Sequence, residues 1–267
     1  MKLHSWLCGG IVALLLAGCA STQDGVSSEV RAAVAPTGKL RVAFLSPAPL
    51  YATKDPATGE LKGVAVDLGK ELAKRISVPF EPVGYTAVPA LISGAKTGDW
   101  DVALLGINSE RAAMMDFSAP YLEVEQGYLV RASAPIATAS DVDKAGVRIG
   151  VLEKAGADVL LSRTLKDAVL VRVSSPTELY ALIGAGKVDV IAATKTALFA
   201  EQAKLAGSRI LEGRILVEPL GMGVPKGRGN EASAYVGKFV EEAKAEGLVN
   251  AAVERAGLRG VKVAPPK

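Results

Sequence analysis

Two short apolar runs, Leu40-Arg41-Val42-Ala43-Phe44-Leu45 and Val147-Arg148-Ile149-Gly150-Val151-Leu152, follow one pattern, and each leads into a loop and then a helical stretch. Runs of this length and apolarity predict buried strands of a parallel sheet. A longer echo follows each of them. Ala90-Leu91-Ile92-Ser93-Gly94-Ala95-Lys96 leads to Asp101-Val102-Ala103-Leu104-Leu105, and Ala181-Leu182-Ile183-Gly184-Ala185-Gly186-Lys187 leads to Asp189-Val190-Ile191-Ala192-Ala193. Each predicts a helix, a glycine stop and a strand. Val64, Leu68, Leu72 and Ile76 fall four apart, and Val236, Phe239, Val240 and Ala243 share one face of another helical segment. Ser175-Pro176-Thr177-Glu178 predicts a capped helix start with proline at the first position. Alternating strands and helices give an α/β fold.

In an open α/β sheet ligands sit beyond the carboxyl ends of the strands, which here are the loops beginning at Ser46, Gly106, Glu153 and Thr194. Two of these loops come from each half, so a ligand touched by all four lies between two lobes. The extended stretches 125–130 and 218–224 are placed to cross from one half to the other, and two crossings make a hinge with limited freedom.

The N-terminal pattern is different. Lys2 precedes an apolar run from Trp6 to Leu16, and small residues Ala17 and Gly18 lead into Cys19, the layout of a secretory signal segment over residues 1–18. The run is short for a bilayer span. Leu16-Ala17-Gly18-Cys19 resembles the lipobox of bacterial lipoproteins, which implies cleavage before Cys19 and a lipid on its sulfur; an ordinary cleaved signal peptide is the alternative. Residues 19–36, rich in Ala, Ser, Thr, Gln and Asp without apolar periodicity, are expected to form a flexible lipidated tether. Ala20 after the cysteine, by resemblance to Gram-negative lipoproteins, implies the outer membrane. The body beyond is expected to be soluble and only anchored.

About 250 residues remain after such a leader, near the size at which one core divides into two. The 31 basic residues nearly balance the 28 acidic ones, so nothing favours nucleic acid or another polyanion. The only histidine, His4, and the second cysteine, Cys8, both lie in the leader. The body therefore has no Ser-His-Asp triad, no thiolate nucleophile, no internal disulfide and no zinc site built on His or Cys ligands. No cofactor and no metal are expected.

One ordered set of motifs is specific: Gly63-Val64-Ala65-Val66-Asp67-Leu68, Asp101-Val102-Ala103, Glu110-Arg111-Ala112, and Asp116-Phe117-Ser118-Ala119-Pro120-Tyr121. In order and spacing they resemble the polar-amino-acid type of periplasmic solute-binding protein, family 3, the receptor of an ABC importer. The likeness runs from about Gly38 to Gly257. It implies a two-lobed type II periplasmic-binding-protein fold with two hinge strands: residues 37–124 plus 225–257 as lobe one, 125–224 as lobe two, and 258–267 as a C-terminal tail. It also implies a small carboxylate ligand, ABC permease subunits as partners, and a monomer in the periplasm.

By the same resemblance Arg111 grips the ligand's α-carboxylate, for which a planar guanidinium is the bidentate match; a surface arginine capping a helix or paired with Asp116 is the alternative. Tyr51 either packs on the ligand or shields the lobe. The family's hydroxyl residues before the arginine are replaced here by Leu104, Leu105, Gly106 and Ile107, then Asn108 and Ser109, so Gly106 and Asn108 are placed at the site. Ala155 and Gly156 keep the backbone donors of a helix start and lose the family's hydroxyl. The family's ammonium-binding aspartate corresponds to Thr194, so that partner is missing. Lys195, if it points inward, adds positive charge beside Arg111; a solvated lysine is the alternative. Trp100 is read as lobe packing.

The leading expectation is a receptor that closes on a small carboxylate, such as an amino acid, by hinge bending and performs no covalent chemistry. A cyclohexadienyl-dehydratase-like lyase on the same fold is the alternative from another class, with Glu153 as the nearest candidate acid. A ligand sensor for a membrane partner is the third.

Overall fold

The computed structural model describes residues 26–266. The leader, Cys19 and the first part of the tether lie outside the described residues. Eight strands form one continuous path. In spatial order they are Phe80–Tyr85, Leu40–Leu45, Val102–Gly106, Leu216–Pro225, Leu122–Val130, Val190–Thr194, Arg148–Leu152 and Val169–Val173. The first three are mutually parallel, as are the last three. The two long strands in the middle run antiparallel to each other, from Leu216 opposite Gln126 to Leu220 opposite Leu122.

Each middle strand is bound to one half and to the other middle strand. Leu220 to Gly223 pair with residues 103–106 of the first half, whereas Gln126 to Val130 pair with residues 190–194 of the second. The protein is thus two parallel α/β lobes joined by a pair of antiparallel crossing strands.

Helices cover both faces of each half, which leaves the central strands nearly continuous in apolar residues. Val64, Leu68 and Leu72 on Val64–Arg75 with Ile76 at its C-cap, and Val236, Phe239, Val240 and Ala243 on Asn230–Ala245, are all buried in the largest core. Trp100 is fully buried and donates its indole N–H to the Leu91 carbonyl at 2.9 Å. Ser175 accepts from the Glu178 amide at the start of Pro176–Gly184. The first-half helix does not stop at Gly94 but runs to Thr97, with Gly98 as its left-handed cap.

The sequence echo between the halves is also an echo of contacts. Asp101 accepts from the Arg41 backbone amide (3.0 Å), its Nε (3.1 Å) and its Nη2 (2.7 Å). Asp189 accepts from the same three groups of Arg148 at 3.1, 3.0 and 3.0 Å. Each arginine also donates to the carbonyl of a glycine just before its aspartate, Gly98 or Gly186. Each aspartate takes one further arginine, Arg228 or Arg131. The clamp ties the start of the first strand in each lobe to the start of the third.

Parts of the expected tether and of the C-terminal tail are structured. Ser28–Val34 within the supposed tether is a helix, with Ser27 accepting from the Val30 amide, and Val26, Val30 and Val34 pack on the core. Three valines four apart make an apolar stripe too short to stand out in an Ala- and Ser-rich stretch. Arg31 adds a hydrogen bond from Nε to the Ile76 carbonyl at 2.9 Å. In the C-terminal segment Val261–Val263 pairs with residues 122–124, on the edge of the crossing strand. Among the described residues no helix is long and apolar enough to cross a membrane.

Candidate functional site

A cleft of about 460 Å³ opens between the lobes at the carboxyl ends of the parallel strands, where backbone groups not consumed by the sheet converge. Its wall is mostly apolar. Leu45, Leu50, Val88, Leu91 and Leu105 come from the first lobe, and Leu152 and Leu179 from the second. Arg111, Gln126 and Glu218 form one polar cluster in it, with Tyr51 beside them, and Glu201 and Lys204 also line the cleft.

Arg111 is placed by a short helix, Ser109–Ala112, whose start is capped by Asn108: the Asn108 side-chain oxygen accepts the Arg111 amide at 2.9 Å. Only 4% of Arg111 is exposed. Its Nη1 donates to the Gly106 carbonyl at 2.7 Å, and its Nη2 reaches the Lys154 carbonyl in the other lobe at 2.8 Å. Its Nε is buried and has no partner among the described residues. An unanswered buried donor on a charged group costs about 1–3 kcal/mol, so this guanidinium has unused capacity for an acceptor.

Glu218, on the crossing strand Leu216–Pro225, faces Arg111 with Oε1 at 3.6 Å from Nη1, beyond hydrogen-bond range. Its Oε2 accepts from the side-chain amide of Gln126 on the other crossing strand. Burial raises the Glu218 pKa above the ordinary carboxylate value, against the lowering pull of Arg111 and Gln126. Burial likewise raises the Tyr51 phenol, helped by the nearby Glu218 charge.

Two glycines make room for this carboxylate. A Cβ on Gly106 would lie 1.9 Å from Glu218 Oε1, and one on Gly156 would lie 2.7 Å from the same atom and 2.6 Å from Gln126 Nε2. Gly156 opens the helix Gly156–Thr164, whose cap residue Ala155 supplies no side-chain hydrogen bond, so the first amides of the helix face this end of the cleft with their positive dipole.

Of the residues singled out in the sequence, Arg111, Tyr51, Ala155, Gly156 and Thr194 line the cleft. Gly106 backs it through its carbonyl, and Asn108 acts through the helix cap. Thr194 caps its own helix, accepting from the Ala197 amide at 3.4 Å. Lys195 does not point inward. Its ammonium pairs with Glu125 at 2.7 Å, outside the cleft wall, and this hydrogen bond lowers the Glu125 pKa. The inward-lysine expectation fails because the first helical residue after the strand turns back onto the neighbouring crossing strand, where it lies over Gly127. Glu153 is exposed and is not among the cleft-lining residues.

Gln126 and Glu218 were missed. The signal for Glu218 is a lone charged residue inside an otherwise apolar strand; Gln126 follows Glu123 and Glu125 in its strand and carries no such signal.

With this geometry in view, the comparisons with known proteins agree with one another. The profile of the bacterial extracellular solute-binding proteins, family 3, matches residues 40–257. The glutamine-binding protein of Geobacillus stearothermophilus is 25% identical over 244 residues, covering 83% of this chain and 92% of the relative. The crystal structure of a mutant of ArgBP from T. maritima superposes with a TM-score of 0.76 at 24% identity, over 85% of this chain and 99% of that one. An ancestral amino acid-binding protein, a precursor of cyclohexadienyl dehydratase, superposes with a TM-score of 0.73 at 25% identity, over 84% and 97% of the two chains.

Proposed function

Since the chain belongs to the bacterial extracellular solute-binding proteins, family 3, we propose that its inter-lobe cleft holds an amino acid by the carboxylate, at Arg111, for delivery to an ABC permease. The observation that carries this reading is Arg111 itself: a guanidinium buried between the lobes, with its Nε unanswered, in the wall of a mostly apolar cleft. A ligand carboxylate would complete its donors and gain the charge-assisted bonds that a planar fork favours.

The lobes are taken as residues 37–124 plus 225–257 and 125–224, turning about the two crossing strands. Arg111 Nη2 on the Lys154 carbonyl and the Lys154 ammonium on Glu110 at 3.4 Å then act as contacts that hold the lobes together. We further propose that the protein works as a monomer on the periplasmic side, held at the outer membrane by a lipid on Cys19. Cys19→Ser would then release it into the soluble fraction; persistence in the membrane fraction would refute the anchor.

The reading assigns no covalent step. Incubation with prephenate or arogenate is expected to leave the substrate unchanged. The direct test is a thermal-shift screen of amino acids against the parent and Arg111→Ala, since a ligand that binds only the folded state raises its melting temperature. Stabilisation by an amino acid in the parent and none in the variant is the expected result. Equal stabilisation of both would remove Arg111 from the site.

A further inference from the structure

Three cleft features bear on what kind of amino acid this site selects. The first is the supply of negative charge. Among the described residues only two carboxylates line the cleft, Glu201 and Glu218. Glu201 is already committed, accepting from the Lys204 ammonium at 2.7 Å. Glu218 accepts one hydrogen bond, from Gln126 to Oε2, while Oε1 stands 3.6 Å from Arg111 without a hydrogen bond. One oxygen therefore has acceptor capacity to offer.

The second is balance. Arg111 and Glu218, 4% and 8% exposed, form a buried pair of opposite charge. A ligand that is itself neutral overall, with one positive and one negative group, leaves the buried charge at zero. A simple carboxylate would leave one uncompensated negative charge there, and a simple amine one positive charge, either of which is costly away from water. In an α-amino acid the ammonium and carboxylate are bonded to one carbon, so their receptors must be neighbours, as Arg111 and Glu218 are.

The third is what surrounds the pair. Leu45, Leu50, Val88, Leu91, Leu105 and Leu179 make up much of the remaining wall, where Glu201 and Lys204 neutralise each other, and burying apolar ligand surface against the leucines and valine is favourable by roughly 25 cal/mol per Å². Thr194 brings no charge.

We propose that Glu218, from the crossing strand, is the acceptor for the ligand's α-ammonium, and that the cleft therefore selects zwitterionic amino acids with apolar side chains. The proposal rests on the receptor reading above and adds to it the residue that fixes the ammonium and the class of side chain. Gly106 and Gly156 belong to the same device, because a side chain at either position would collide with the Glu218 carboxylate.

Isothermal titration of the purified protein with L-phenylalanine, 3-phenylpropionate and phenethylamine, and with L-leucine, 4-methylpentanoate and isoamylamine, tests it. In the parent each amino acid is expected to bind at least about 100-fold tighter than either of its truncated analogues, the effect of a lost charge-assisted bond in a buried site. In Glu218→Gln the preference for the amino acid over the deaminated acid should fall below about 10-fold, with the acid binding no worse than in the parent, which also shows that the variant is folded. An unchanged preference in Glu218→Gln, or a parent that binds the deaminated acid as tightly as the amino acid, overturns the assignment of Glu218 while leaving the receptor reading intact. Tight binding of L-arginine or L-glutamine with no apolar amino acid bound overturns the selectivity. A parent that binds none of the twenty amino acids overturns the receptor reading and this proposal with it.

Discussion

The first and third strands of the two lobes are alike at one end and different at the other. At their amino ends the same clamp is built twice, Asp101 on Arg41 and Asp189 on Arg148, down to the backbone amide and the glycine carbonyl. At their carboxyl ends the repetition stops. The third strand of the first lobe leads to Gly106, Asn108 and a buried Arg111, whereas the third strand of the second leads to Thr194 and a lysine tied up with Glu125. The end that only joins strands kept one solution. The end that borders the cleft is where the lobes part, and under our proposal the charge missing from the second lobe comes from the crossing strand, through Glu218.

The largest expected effect lies at the clamps. Asp101 is wholly buried, while its counterpart Asp189 keeps 14% of its side chain exposed. Asp101→Asn should therefore be the more damaging, lowering unfolding stability by about 3 kcal/mol in urea denaturation, because it strips the counter-charge from both Arg41 and Arg228. Equal losses for Asp101→Asn and Asp189→Asn would show that burial does not distinguish the two lobes. At the other end of the strands, Arg111→Ala should weaken amino acid binding by about 100-fold or more in titration calorimetry.

A smaller effect is specific to the second clamp. The hydrogen bond from Arg148, reinforced by Arg131 and opposed by burial, lowers the Asp189 pKa to about 2 from its ordinary 3.8. The folded state thus binds the proton less tightly than the unfolded chain. The stabilisation is present above pH 3.8 and is lost as the pH falls through about 2. It amounts to about 2 kcal/mol, which Asp189→Asn should remove from the acid limb of a stability-against-pH curve. An acid limb of unchanged slope in the variant would assign that loss elsewhere. The smallest effect belongs to Lys195→Ala, which should leave ligand affinity within about twofold, since its charge is neutralised by Glu125. A tenfold loss would return that lysine to the cleft.

The sequence conveyed the scaffold better than the site. The buried strands and the amphipathic helices are local patterns, and Val64 to Ile76 or Val236 to Ala243 show their buried face in the spacing alone. Ser28–Val34 and Val261–Val263 escaped because each is too short for a period to build up. Arg111, Tyr51, Ala155 and Gly156 lie on the loops that the strand-end rule marks, and the structure brings them to one cleft. Glu218 and Gln126 do not lie on those loops. Their place depends on the antiparallel register of two strands 92 positions apart along the chain, which no local pattern encodes. The fate of Lys195 has the same cause: its partner Glu125 is 70 residues away in sequence and adjacent only through strand pairing.

A crystal structure of the protein with an apolar amino acid bound should show the ligand carboxylate within hydrogen-bond distance of Arg111 Nε, the donor now without a partner, and the ligand ammonium on the Glu218 carboxylate. A ligand bound with Arg111 Nε still unanswered, or seated outside the cleft between the lobes, would contradict this placement.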